Sequence, residues 1–152
     1  MKKIIVTMLL FFFIVLFSNL SFSKTITQCG ESKGVSIYLK NGVFGDLGGF
    51  KDDGFGGSKI VLEAVEDPDS GNTKVDVIFF NGNTPYRASE AGPVALINMN
   101  PVNGTWMILA VAGTYIDTYL FSLDQNGKGE VVWTNSRSGG TPKAVLMKAV
   151  CG

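Results

Sequence analysis

The chain has 152 residues, 13 Lys and Arg balanced by 13 Asp and Glu, 19 glycines, two cysteines and no histidine. Without imidazole, Ser-His-Asp and Cys-His catalysis and His-liganded zinc are excluded, because each needs that ring as base or ligand. The balanced charge offers no electrostatic footprint for nucleic acid or an anionic membrane surface.

Residues 1–23, MKKIIVTMLLFFFIVLFSNLSFS, read as a signal peptide: Lys2 and Lys3 form a positive start, residues 4–17 an apolar run, and Ser21 and Ser23 the small residues before a cleavage site. Cleavage after Ser23 leaves a single β domain over 24–152. The alternative is an uncleaved membrane anchor, for which the run is short against a span of about 20 residues. Gln28, where lipidation needs a small residue before Cys29, argues against a lipid anchor. Export to the periplasm or beyond makes Cys29 and Cys151 a disulfide between the two ends of the domain, two free buried thiols being the other reading. No membrane insertion is expected after cleavage. Both leader lysines are lost with it, so 11 basic side chains face 13 acidic ones.

All 19 glycines fall in the mature part, and no helix-favouring run is present, which points to short strands and tight turns. "GVSIYLK" sends Val35, Ile37 and Leu39 one way and Ser36, Tyr38 and Lys40 the other, and so opens the strand series. Residues 41–57 are Gly-rich without clear period and read as a long loop. "SKIVLEAVE" and "TKVDVIFF" make a hairpin across "DPDSGN", whose Pro, Asp, Gly and Asn favour turns. The connection 81–93 follows, with a short strand over 84–89, and then "PVALINMN" as the next strand. "TWMILAVAG" is apolar on both faces and should be covered on both. "TYIDTYLFSLD" and "GEVVWTNSR" flank "QNGK", an Asn-Gly hairpin signal, and "KAVLMKAVC" closes the series. The expected fold is all-β: an antiparallel meander of seven to eight strands forming a closed or nearly closed barrel whose ends meet, with a β-sandwich as alternative.

Three acidic turns look chemical. "KDDGFGGSK" lacks the spacing and the following helix of a phosphate loop, and neither "DPDSGNTK" nor "DQNGKGE" has the terminal Glu of an EF-hand, Ile78 and Asn135 standing there. All three read as solvated turns, and no cofactor, metal or catalytic residue is assigned. The candidate ligand-binding residues are Arg87 and Arg137, the only arginines and so the groups able to clamp a carboxylate in two places, with Tyr115, Tyr119 and Trp133. Tyr115, Asp117, Tyr119 and Phe121 share one strand face, suited to lining a barrel mouth. The bland alternatives are surface ion pairs and ordinary core packing.

Taken in order, "CGESKG", "DGFGGSKIVL", "VDVIFF", "TYLFSLDQNGKGEVVWTNSRSGG" and "PKAVLMKAVC" make the chain resemble a family of small exported bacterial proteins of unassigned function, bracketed by two cysteines. That resemblance implies a bacterial envelope or secreted setting and supports the cysteine pairing. The periplasmic inhibitors of c-type lysozyme offer a similar size and barrel, but they carry Ser-Gly, two residues, then Tyr. The two Ser-Gly sites here, "SGNTK" and "SGGTP", have no Tyr, so only an analogy of fold remains.

The function expected is a non-catalytic binding module. It recognises a protein or small ligand through a barrel mouth or through the loops 41–57, 81–93 and 136–142, where a stiff β scaffold presents recognition residues. The alternatives are a structural envelope component and a small glycan hydrolase pairing Asp52 or Asp53 with Glu90 or Asp117.

Overall fold

A computed structural model describes residues 23–39, 49–66, 72–100, 102–138 and 142–152. The leader, apart from Ser23, lies outside them, as do parts of the 41–57, 67–72 and 136–142 connections. Eleven strands run along the described residues: β1 (Ser23–Cys29), β2 (Ser32–Tyr38), β3 (Gly49–Phe55), β4 (Lys59–Glu66), β5 (Thr73–Asn81), β6 (Thr84–Arg87), β7 (Val94–Asn100), β8 (Thr105–Ala112), β9 (Tyr115–Leu123), β10 (Gly129–Arg137) and β11 (Lys143–Cys151). One helical turn, α1 (Ala88–Ala91), separates β6 from β7.

All strands belong to one antiparallel sheet curled through 241° into a half-barrel, open rather than closed. The path across it is β6-β5-β4-β1-β11-β10-β9-β8-β7, with β2 lying between β11 and β3. β1 and β2 are two halves of one bent run, as are β3 and β4: Cys29 faces Ile60 below the bend and Ser32 faces Phe55 above it. With these halves joined, the topology is a meander whose first and last strands pair. The opening falls in the middle of the chain, between β6 and β7, and α1 lies there against β5 and β8. The closed or nearly closed barrel of seven to eight strands expected from the sequence is therefore corrected in two respects. β1 and β3 are additional strands, and the short β6, carrying Pro85, gives β7 no long partner across the gap.

The first and last described strands meet at the cysteines. Cys29 and Cys151 are directly opposed and joined, with Cα atoms 3.8 Å apart. Gly152 N–H donates to Gln28 O at 3.0 Å and Gly30 N–H to Val150 O at 2.9 Å, so the backbone bonds flank the cysteines and leave them as the close, non-hydrogen-bonded kind of pair.

The core fills the concave side, where Ile60, Leu62, Val77, Ile108, Phe121, Val131 and Met147 are almost wholly buried. Alternation selects them, since residues two apart share a face. Two expectations about faces change. In β2 the buried residues are Ser32 and Ser36, while Val35 and Ile37 are only half-buried on the convex side and, just past the strand, Leu39 is 61% exposed. β8 is covered on one side only: Ile108 and Ala110 point inward, but Met107 is 42% exposed. On the convex face Ile116, Leu120 and Leu146 are likewise exposed, whereas Val61 and Ile78 are buried there.

Candidate functional site

The hairpin of β9 and β10 sets the site. Its turn is held by Asp124, whose Oδ1 accepts N–H bonds from Asn126 and Lys128, while Gly127 N–H donates to Asp124 O at 3.1 Å. Gly127 has φ of +75°, whereas Asn126 does not adopt a positive φ. This is a type I turn followed by a left-handed glycine bulge, rather than a two-residue Asn-Gly turn. The resulting register places Trp133 opposite Tyr119, Asn135 opposite Asp117 and Arg137 opposite Tyr115, all facing inward. β11 continues the same levels with Met147, Val145 and Lys143. The concave wall thus passes from apolar to charged over three levels.

Across from this wall, β3 contributes Phe55, β5 contributes Val77 and Phe79, and β6 with α1 contributes Tyr86, Arg87 and Ala88. Together they enclose a cavity of about 310 Å³. Arg87, Tyr115, Tyr119, Trp133 and Arg137, the five residues singled out from the sequence, all line it. Phe55, Phe79, Asn135 and Lys143 were not foreseen. Phe55 lay in a segment read as loop, and Phe79 reaches the site only through pairing that sequence pattern does not reveal.

The floor is aromatic. Phe55 meets Phe79 edge-on at 5.5 Å between centroids and Trp133 at 5.8 Å, while Tyr119 stacks on Trp133 at 6.3 Å. Trp133 is fixed by its Nε1–H, which donates to the buried Ser32 Oγ at 3.1 Å. Above the floor, Asp117 accepts from Tyr119 OH at 3.2 Å and from Asn135 Nδ2. Burial pushes the Asp117 carboxyl above its ordinary value, against the opposing pull of those two neutral donors. Burial, reinforced by Asp117, also raises Tyr115, and raises Tyr119 strongly, so both phenols stay protonated donors.

The charged groups have acidic partners, those of Arg87 lying on the convex face of β4 and β5. Arg87 Nη1 donates to Glu63 Oε2 at 3.0 Å and to Asp76 Oδ2 at 3.3 Å. Asp76 is itself buried and accepts from Ser89 N–H and Oγ–H and from Val77 N–H. Lys143 pairs with Asp53 at 3.6 Å and lies over the Tyr38 ring. The Ser36 hydroxyl, then Gly54 N–H and Lys143, hold Asp53 below its usual value despite partial burial. Of the acids considered for hydrolysis, Asp117 is the only one among the cavity's lining residues.

No protein-family model, curated protein or solved structure matches the chain.

Proposed function

We propose that this is an exported, non-catalytic binding module of the bacterial envelope, released by cleavage near Ser23, and that its half-barrel holds a small ligand in the cavity above Trp133. The observation that carries this reading is the convergence of all five candidate residues on one cavity with an aromatic floor and a charged rim. That combination, an apolar body with a few placed polar groups, is what small-ligand sites have in common. The cavity lies at the low end of their usual size range, roughly 300 to 1,000 Å³, which favours a compact ligand. A paired-acid hydrolase is less well supported, since Asp117 has no second carboxylate beside it among the lining residues. A module that works through its outer loops would leave the cavity without a role.

The two tryptophans supply the test, because Trp133 lines the cavity and Trp106 does not. Small-molecule extract from the host's envelope is titrated into ¹⁵N-labelled protein. The Trp133 indole N–H signal should move while that of Trp106 stays. Movement confined to amides of the outer loops would refute the cavity as the site.

A further inference from the structure

Asp117 is the only carboxylate among the cavity's lining residues, and the groups bonded to it are neutral. Its Oδ2 accepts from Tyr119 OH at 3.2 Å and its Oδ1 from Asn135 Nδ2, which leaves each oxygen able to accept another donor. No ion pair reaches it among the described residues. Arg87, opposite Ile78, sends its guanidinium to Glu63 and Asp76 on the convex face of β4 and β5. Lys143 pairs with Asp53 at 3.6 Å, and Arg137 is exposed one level nearer the mouth, opposite Tyr115. Beside Asp117, Tyr119, Trp133, Phe55 and Phe79 form one run of rings with neighbouring centroids 5.5 to 6.3 Å apart.

We propose that the cavity binds a small primary monoamine in its ammonium form, with an aromatic or branched aliphatic body. The ammonium group donates to Asp117 and the body lies on the rings of Phe55, Phe79 and Trp133. This rests on the small-ligand reading above and names the ligand class. Two arguments select a cation. A half-buried carboxylate with only neutral donors gains from an opposite charge that brings N–H groups of its own. The upward push that burial gives the Asp117 carboxyl agrees, since a cation beside it would favour the ionised form. The neighbouring rings add to this, because their electron-rich faces attract an ammonium group. Repulsion sharpens the choice. An acid of the same shape meets Asp117 as a like charge, and a neutral alcohol covers Asp117 without supplying a charge. A second ammonium group nearer the mouth would meet Arg137 and Lys143, which favours a monoamine over a diamine. Size is consistent: a sphere of the cavity's volume is about 8 Å across, enough for a single ring on a short amine chain.

The test is isothermal titration of the exported, oxidised protein with phenethylamine, 2-phenylethanol and 3-phenylpropionate, which share a phenylalkyl body and differ in the charge of the head group. Phenethylamine should bind, and the alcohol and the acid should each bind about tenfold or more weakly. Asp117→Asn should weaken phenethylamine by a similar factor without weakening 2-phenylethanol. The ligand series needs no variant, so the answer does not depend on how Asp117→Asn folds. Equal or tighter binding of the alcohol or the acid overturns the proposal while leaving a small ligand in the cavity; tighter binding of the acid would assign the charge recognition to Arg137 and Lys143 instead. Unchanged affinity of Asp117→Asn for phenethylamine overturns it as well. So does failure of phenethylamine, tryptamine and 3-methylbutylamine all to bind. In that last case, a small-molecule mass retained by host-derived protein would leave the small-ligand reading standing and remove only the amine. An absence of retained mass would remove both.

Discussion

Asp117 holds its carboxylate among aromatic rings, and its environment makes that placement costly. Its folded pKa lies above the unfolded one, so at intermediate pH the folded state holds more protons than the unfolded chain. Stability from this group is therefore intact at acid pH, falls as pH rises from the unfolded toward the folded pKa, and stays reduced above it. Asp117→Asn should stabilise the protein at pH 7 by on the order of 1 kcal/mol, and the gain should vanish near pH 3. Denaturant melts at the two pH values check this, and an equal gain at both would contradict it. Asp53 has the opposite sign. Held low by Ser36, it contributes stability above its unfolded pKa that is lost as pH falls through its folded value. Ser36→Ala should accordingly reduce stability at neutral pH and do so much less once Asp53 is protonated, as urea melts across that range would show. A stabilising Asn at 117 and a ligand role for Asp are compatible, since binding sites often hold groups that folding alone would not favour.

At the scale of elements, a single turn decides whether the candidate residues meet. A two-residue Asn-Gly turn would pair Tyr119 with Thr134, which would turn Trp133, Asn135 and Arg137 to the convex side. The bulge at Gly127 shifts the register by one residue and brings them inside. A Cβ at Gly127 would lie 2.6 Å from Ile26 O at a φ of +75°. Gly127→Ala should cost more than about 1 kcal/mol. Gly113→Ala, in the open turn between β8 and β9 with nothing within 4 Å, should stay within about 0.5 kcal/mol of the parent. Comparable losses in thermal melts would contradict the role given to the bulge. The same turn shows how far the sequence was legible. Alternation within β9 correctly grouped Tyr115, Asp117, Tyr119 and Phe121, because side-chain period is a local property. Hairpin register depends on one backbone conformation at Gly127, which Asn-Gly leaves open. β3 escaped notice for a related reason: "GFKDDGF" has no apolar alternation, being a strand with one β partner among the described residues, β2, and a mostly solvated surface. Ser36 was misplaced by polarity alone, since its burial depends on a hydrogen bond to Asp53 from the neighbouring strand.

For the whole molecule, the disulfide and the opening are complementary. Pairing of β1 with β11 joins the first and last described strands, and the sheet remains open between β6 and β7, beside the cavity wall formed by β6 and α1. The bond spans 122 residues. In the chain-entropy view, reducing it costs about 4 to 5 kcal/mol, or roughly 15 °C in Tm for a domain of this size. Circular dichroism with and without a reductant measures that loss, and an unchanged Tm would show that the strand pairing suffices alone. The central claim, a small ligand held above Trp133, is met most directly by native mass spectrometry of the protein taken from its own host's envelope. The account predicts a chain beginning after Ser23, two hydrogens lighter than its reduced form and carrying a small-molecule mass that Trp133→Ala loses. A bare chain, or a bound mass that Trp133→Ala retains, would contradict it.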